Sequence, residues 1–115
     1  MGIQTGLFGS FPLIDANIDA RVSASIGAYI LGDSFNSERD LIVRYVGRSD
    51  TDLNARLKNW VGSYNYFMYG HLTTEYDAYR KECHLYHAFM GNALDNSIHP
   101  AKPSSVFCQC PVCSD

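Results

Sequence analysis

The sequence predicts an α+β domain of three strands and three helices, and three observations carry that expectation. Two runs rich in β-branched and aromatic residues, Ile26 to Leu31 and Leu41 to Val46, flank a turn-like segment, Gly32-Asp33-Ser34-Phe35-Asn36-Ser37. That is the pattern of a long-looped antiparallel hairpin. A third aromatic run covers Tyr64 to Tyr69, and apolar residues recur at helical spacing in the stretches before and after it.

Residues 1 to 14 carry Gly2, Gly6, Gly9 and Pro12 and read as a loose lead-in. Asp15 is placed to cap a short helix that runs to about Val22. Side chains alternate along a strand, so Gly27, Tyr29 and Leu31 fall on one face of the first strand. The same counting puts Leu41, Val43, Tyr45 and Gly47 on one face of the second, with the two tyrosines on a shared side. Ser49 and Asp50 offer caps for a helix in which Leu53, Leu57, Trp60 and Val61 recur, stopping near Gly62. After the aromatic strand, Thr73 or Thr74 caps a longer helix with an apolar stripe of Ala78, Leu85, Ala88 and Phe89. Gly91 or Asn92 ends it. The remainder, with Pro100, Pro103 and Pro111, has no apolar periodicity, which divides the chain into a lead-in (1–25), a core domain (26–103) and a cysteine-rich tail (104–115).

A chain of 115 residues with 46% hydrophobic and 18% charged residues suits one hydrophobic core. A net charge of −3 excludes a general basic field of the kind that drives non-specific nucleic-acid binding, so any nucleic-acid site must be local. No apolar run approaches the roughly 20 residues needed to cross a bilayer, and no charged segment followed by an apolar one marks a signal peptide. The expectation is a soluble cytoplasmic protein without a membrane partner.

Two charged residues sit where apolar neighbours dominate. Glu82 lies one helical turn after Ala78 and about one turn before Leu85 and Tyr86, so the buried stripe carries a carboxylate inward. An uncompensated buried carboxylate costs several kcal/mol or becomes neutral, so Glu82 must be paired, metal-bound or at a cleft edge. Arg56 is flanked by Leu53, Leu57 and Trp60, and its guanidinium cannot shed its charge. Either its stem packs on Trp60 with the head in water, or its planar fork holds an anion. His84 and His87 share the helix of Glu82 without the spacing of four that a helical metal pair uses. Tyr64, Tyr66 and Tyr69 are more plausible as packing than as base-stacking residues.

The ordered set Gly27-Ala28-Tyr29, Tyr45-Val46-Gly47-Arg48, Asn54-Ala55-Arg56-Leu57, Glu82, and Asn96 before His99-Pro100 resembles the GIY-YIG nuclease domain over about residues 26 to 103. The resemblance implies a small α/β sandwich in which helices flank a central three-stranded antiparallel sheet. It implies a divalent-metal-dependent endonuclease that cleaves DNA phosphodiester bonds with one ion, Mg²⁺ or Mn²⁺, held by Glu82. Tyr29 and Tyr45 match the motif tyrosines, Arg56 the motif arginine and Asn96 the asparagine beyond the metal-binding helix. Tyr45 would take the proton of the attacking water, while Tyr29 orients water or phosphate and Arg56 offsets charge at phosphorus. Arg48 and Lys58 are the candidate phosphate and DNA contacts.

Cys108, Cys110 and Cys113 crowd the carboxyl end in Cys108-Gln109-Cys110-Pro111-Val112-Cys113. Cys110 to Cys113 has the C-x-x-C form of half a zinc knuckle, and a closed zinc site needs four ligands. His99 is the first candidate for the fourth; Cys83 and a partner chain are the others. The alternative to a nuclease is therefore a weakly active or inactive copy of the same fold, a binding module whose tail holds Zn²⁺ or mediates assembly with a partner protein or another copy.

Overall fold

The computed structural model describes residues 5–89 and 94–96, and within them the chain runs β1 (Phe8–Pro12), α1 (Asp15–Arg21), β2 (Gly27–Phe35), β3 (Leu41–Ser49), α2 (Leu53–Lys58), β4 (Tyr66–His71) and α3 (Glu75–Phe89). The four strands form one sheet in the order β1-β4-β2-β3, antiparallel at each junction. The expected three-stranded sheet thus has a fourth member, supplied by the segment read as a loose lead-in. Gly9 and Pro12 hid that strand from a propensity count, whereas Phe8 and Phe11 build it. Phe8 pairs across from Tyr69 and Phe11 from Phe67, with ring centroids 5.8 and 5.7 Å apart, the aromatic pairing that stabilises neighbouring strands.

The sheet is covered on both faces. Leu13, Ile18 and Val22 of the α1 region and Leu53 and Leu57 of α2 bury one face together with Tyr29, Leu31 and Phe67. On the other face Leu85 and Phe89 of α3 pack on Ala28, Ile30, Val43 and Val46. Val43 is therefore on the α3 side, not with Tyr45 as strict alternation predicts. The register shifts between Leu31↔Tyr45 and Gly32↔Val43, so Arg44 is an extra residue on β3, and one extra residue exchanges the faces of everything beyond it.

Local capping follows the sequence in part: α1 begins at Asp15 itself, with Ile14 at the cap position and no side-chain cap, so Asp15 is a first-turn acid and not the expected cap. The Asp52 side chain accepts the N–H of Ala55 at 2.9 Å and starts α2, and the Ser49 hydroxyl accepts the N–H of Asp52 one turn earlier. Thr74 accepts the N–H of Asp77 at the start of α3. The proposed helix stop at Gly91 or Asn92 lies outside the described residues, as does the tail. Among the described residues no helix is long and apolar enough to cross a membrane.

Candidate functional site

β3 is an edge strand, with α2 beside one face of the sheet and α3 beside the other, and a cleft of about 300 Å³ opens around its carboxyl end. Tyr29, Tyr45, Arg48, Asp50, Arg56 and Glu82 line it, with Gly47 and Thr51. Gly47 joins the two sides. It lies opposite Tyr29 in the β2–β3 ladder, and a methyl group there would lie well inside 3.0 Å of the Tyr29 ring and hydroxyl. The missing side chain lets the Tyr29 phenol reach over β3 towards the cleft.

Tyr29 is fully buried, and its oxygen accepts the indole N–H of Trp60 at 2.8 Å. Burial pushes its phenol far above the ordinary tyrosine range, and the Trp60 donor offsets only part of that. The Tyr45 ring stacks at 6.4 Å from Tyr29 and contacts Trp60 at 4.5 Å. It is half-buried, and its pKa is raised first by burial and then by the negative charge of Glu82, with Arg56 opposing both.

Glu82 is 8% exposed. Burial pushes its carboxyl up from the usual carboxylate range, and the neighbouring Arg48 charge pulls it part of the way back. Arg48 donates Nη1 to Glu82 Oε1 at 2.5 Å and Nε to Asp50 Oδ1 at 2.9 Å. Desolvation works against its charge, but the bonds and charges of Asp50 and Glu82 outweigh that and raise its pKa. Arg56 is exposed at the cleft rim and donates Nη1 to the Arg48 backbone oxygen at 3.0 Å.

Two of the residues singled out from the sequence lie elsewhere. Lys58 reaches Asp19 of α1 at 2.6 Å, joining the two helices on their face of the sheet. Asn96 sits on the outer edge of β3, where its amide oxygen accepts the Val46 N–H at 2.9 Å and its amide nitrogen donates to the Val46 carbonyl at 2.7 Å. His99, Cys108, Cys110 and Cys113 lie outside the described residues, while Cys83 is buried within α3. Asp50 was missed as a cleft residue, because it reads as a helix cap until the Arg48 bond places it beside Glu82. The one available signal was its i+2 spacing from Arg48, which puts two extended-chain side chains on one face.

Among the described residues no group of three or more His, Cys, Asp or Glu side chains is arranged around a common point. The cleft instead offers the hard oxygens of Glu82 and Asp50, with a guanidinium between them. That donor set suits Mg²⁺ or Mn²⁺, ions that bind through one or two carboxylates and complete their shell with water and phosphate. As it stands, the cleft presents one guanidinium at its rim, that of Arg56, and the Tyr45 phenol, while Arg48 is engaged by Glu82 and Asp50. No family model, no curated protein and no solved structure matches the chain.

Proposed function

We propose that the protein is a small endonuclease of the GIY-YIG type that hydrolyses DNA phosphodiester bonds with the aid of one Mg²⁺ or Mn²⁺ ion. The observation that carries this reading is convergence: Tyr29, Tyr45, Arg48, Arg56 and Glu82, drawn from β2, β3, α2 and α3, line a single cleft. When bound, the ion supplies charge neutralisation at the phosphoryl and leaving oxygens. Glu82 and Asp50 are the residues that would hold it. Arg56, exposed and planar, grips non-bridging phosphate oxygens and offsets the charge that grows on them during attack.

The two tyrosines divide their work by environment. Tyr29 is buried with its oxygen already accepting from Trp60, so it stays protonated and its O–H donates a hydrogen bond that orients water or phosphate. Tyr45 faces the cleft at half-burial and is the better proton acceptor for the attacking water. Its phenol is held protonated partly by the charge of Glu82. Neutralising that charge is what lowers the barrier to its ionisation.

The test is nicking of supercoiled plasmid at low salt with Mg²⁺ or Mn²⁺, beside an EDTA control and Glu82→Gln. Wild type nicks, and both EDTA and the substitution abolish it; equal nicking by wild type and Glu82→Gln sinks the reading. A second reading, a binding module that keeps the fold, is favoured by one observation: the carboxylates of Asp50 and Glu82 already neutralise Arg48. It predicts that Glu82→Gln leaves partner capture intact while replacing Cys110 and Cys113 abolishes it.

A further inference from the structure

Arg48 occupies the place in the cleft where a cation belongs. Its side chain is 11% exposed and that of Glu82 is 10% exposed, so their contact is largely removed from water. The same guanidinium is held by Asp50 from the other side, with Nε at 2.9 Å. A divalent ion that reaches Glu82 must take the oxygen that Arg48 holds, or else sit against a fixed positive charge in a poorly screened site. Both alternatives expel the guanidinium.

We infer that Arg48 is an exchangeable counter-cation: it closes the Glu82–Asp50 site in the metal-free protein and is displaced into the cleft, towards phosphate, when a divalent ion binds. This rests on the reading of Glu82 as the metal ligand. The backbone is prepared for such an exchange, because the Arg48 carbonyl is tied to Arg56 Nη1 at 3.0 Å, which holds β3 while the side chain turns. Without metal, the charges of Arg48 and Arg56 balance those of Asp50 and Glu82, and the cleft has no net attraction for an anion. With a divalent ion bound, the cleft is net positive and the freed Arg48 fork stands beside that of Arg56. Metal and nucleic acid therefore bind in order, metal first, and Arg48 suppresses engagement of a phosphodiester without its ion.

The test measures Mn²⁺ binding to the full chain at pH 8 from the electron paramagnetic resonance signal of the free ion. It compares wild type, Arg48→Gln, Arg48→Lys and Glu82→Gln, each checked for folding by circular dichroism. Arg48→Gln binds Mn²⁺ about tenfold tighter than wild type, the size of a charge-assisted bond that no longer has to be broken. Arg48→Lys falls between them, and Glu82→Gln loses the site. If Glu82→Gln loses the site but Arg48→Gln binds no tighter than wild type, the exchange is wrong and the nuclease reading stands. If Glu82→Gln binds Mn²⁺ as wild type does, the metal assignment fails and the exchange fails with it. A second measurement needs no destabilising variant. The Arg48 Nε–H resonance, identified by its loss in Arg48→Lys, shifts on Mg²⁺ addition to the wild-type protein, and an unmoved resonance at saturating Mg²⁺ overturns the exchange.

Discussion

At position 47 the chain has no side chain, and Tyr29 fills the space that one would take. Gly47→Ala forces either the Tyr29 ring off its rotamer or β3 away from β2, and overpacking of this kind costs about 1–3 kcal/mol. The expected result is a lower urea midpoint with an unchanged m-value. It is accompanied by a change in the fluorescence of Trp60, the single tryptophan, whose indole N–H is bonded to the Tyr29 oxygen. Glu82 makes a prediction of the opposite sign. Its folded-state pKa is raised above the ordinary glutamate value of 4.5, chiefly by burial. The folded protein therefore binds the Glu82 proton more strongly than the unfolded chain does, and the contribution of this residue to stability falls as pH rises from about 4.5 through the raised value. Glutamine resembles the protonated acid and does not titrate. The stability of Glu82→Gln relative to wild type accordingly increases with pH across that window, read from urea midpoints of both proteins at matched pH. The lowered carboxyls of Asp19 and Asp95 titrate in both proteins and cancel in the difference. A difference that does not change with pH shows that Glu82 is not desolvated in solution.

β3 is the element on which the cleft depends, and its outer edge is closed by two consecutive residues rather than by a strand. Asp95 donates its N–H to the Arg44 carbonyl at 2.6 Å and takes the Arg44 guanidinium at 3.0 Å, and Asn96 then brackets Val46 with its amide. Bonds to alternate residues of a strand are what a neighbouring strand would supply. Asn96→Asp loses the donor to the Val46 carbonyl and sets two acceptors against each other, a loss of about 1–3 kcal/mol for an unsatisfied group. Amide hydrogen exchange at Val46 speeds up by a corresponding factor while that at Ile30, inside the sheet, follows global stability alone. This arrangement also shows which elements can be read from a sequence. α2 and α3 follow from apolar periodicity and the hairpin strands from their β-branched and aromatic runs, although β2 continues through Phe35, in a segment that reads as turn. β1 does not follow from either, since its stability comes from aromatic pairing with Tyr69 and Phe67, 56 to 61 residues away in sequence. Nor does the extra residue at Arg44, because counting by twos assumes an unbroken ladder, and so Val43 was assigned the wrong face. In the cleft, the residues carrying a conflict between charge and apolar context, Glu82 and Arg56, were visible. Asp50 was not, because its part depends on a guanidinium shared with Glu82, which only the packing of α3 on the sheet brings near.

Over the whole molecule, positive charge is scarce, with nine lysines and arginines against twelve acids, and part of it is committed. Net charge is −3, and Arg44, Arg48 and Lys58 each lie in an ion pair, with Asp95, with Asp50 and Glu82, and with Asp19 respectively. The pairs at Arg44 and Lys58 are exposed and contribute little to stability, and on the proposed reading both side chains stay with their carboxylates, away from the cleft. On the proposed reading, nucleic acid is then held by Arg56, by Arg48 once it leaves Glu82, and by the metal ion. Each phosphate neutralised by a cationic side chain adds about −0.9 to the slope of log affinity against log salt on duplex DNA. Two arginines predict a slope of about −2, with weak affinity at physiological salt. Fluorescence anisotropy of a labelled duplex supplies the measurement, at fixed excess Mg²⁺ and with Glu82 intact. Hydrolysis during the measurement is slowed by phosphorothioate linkages in the duplex, in which sulfur replaces a non-bridging phosphate oxygen, and the protein is left unaltered. Arg56→Gln lowers the magnitude of the slope by roughly one, because it removes one phosphate contact, whereas Lys58→Gln leaves it unchanged, because Lys58 is spent on Asp19. A slope much steeper than about −4 means that binding spreads over a basic surface well beyond the cleft, and the cleft-only account of affinity is then wrong.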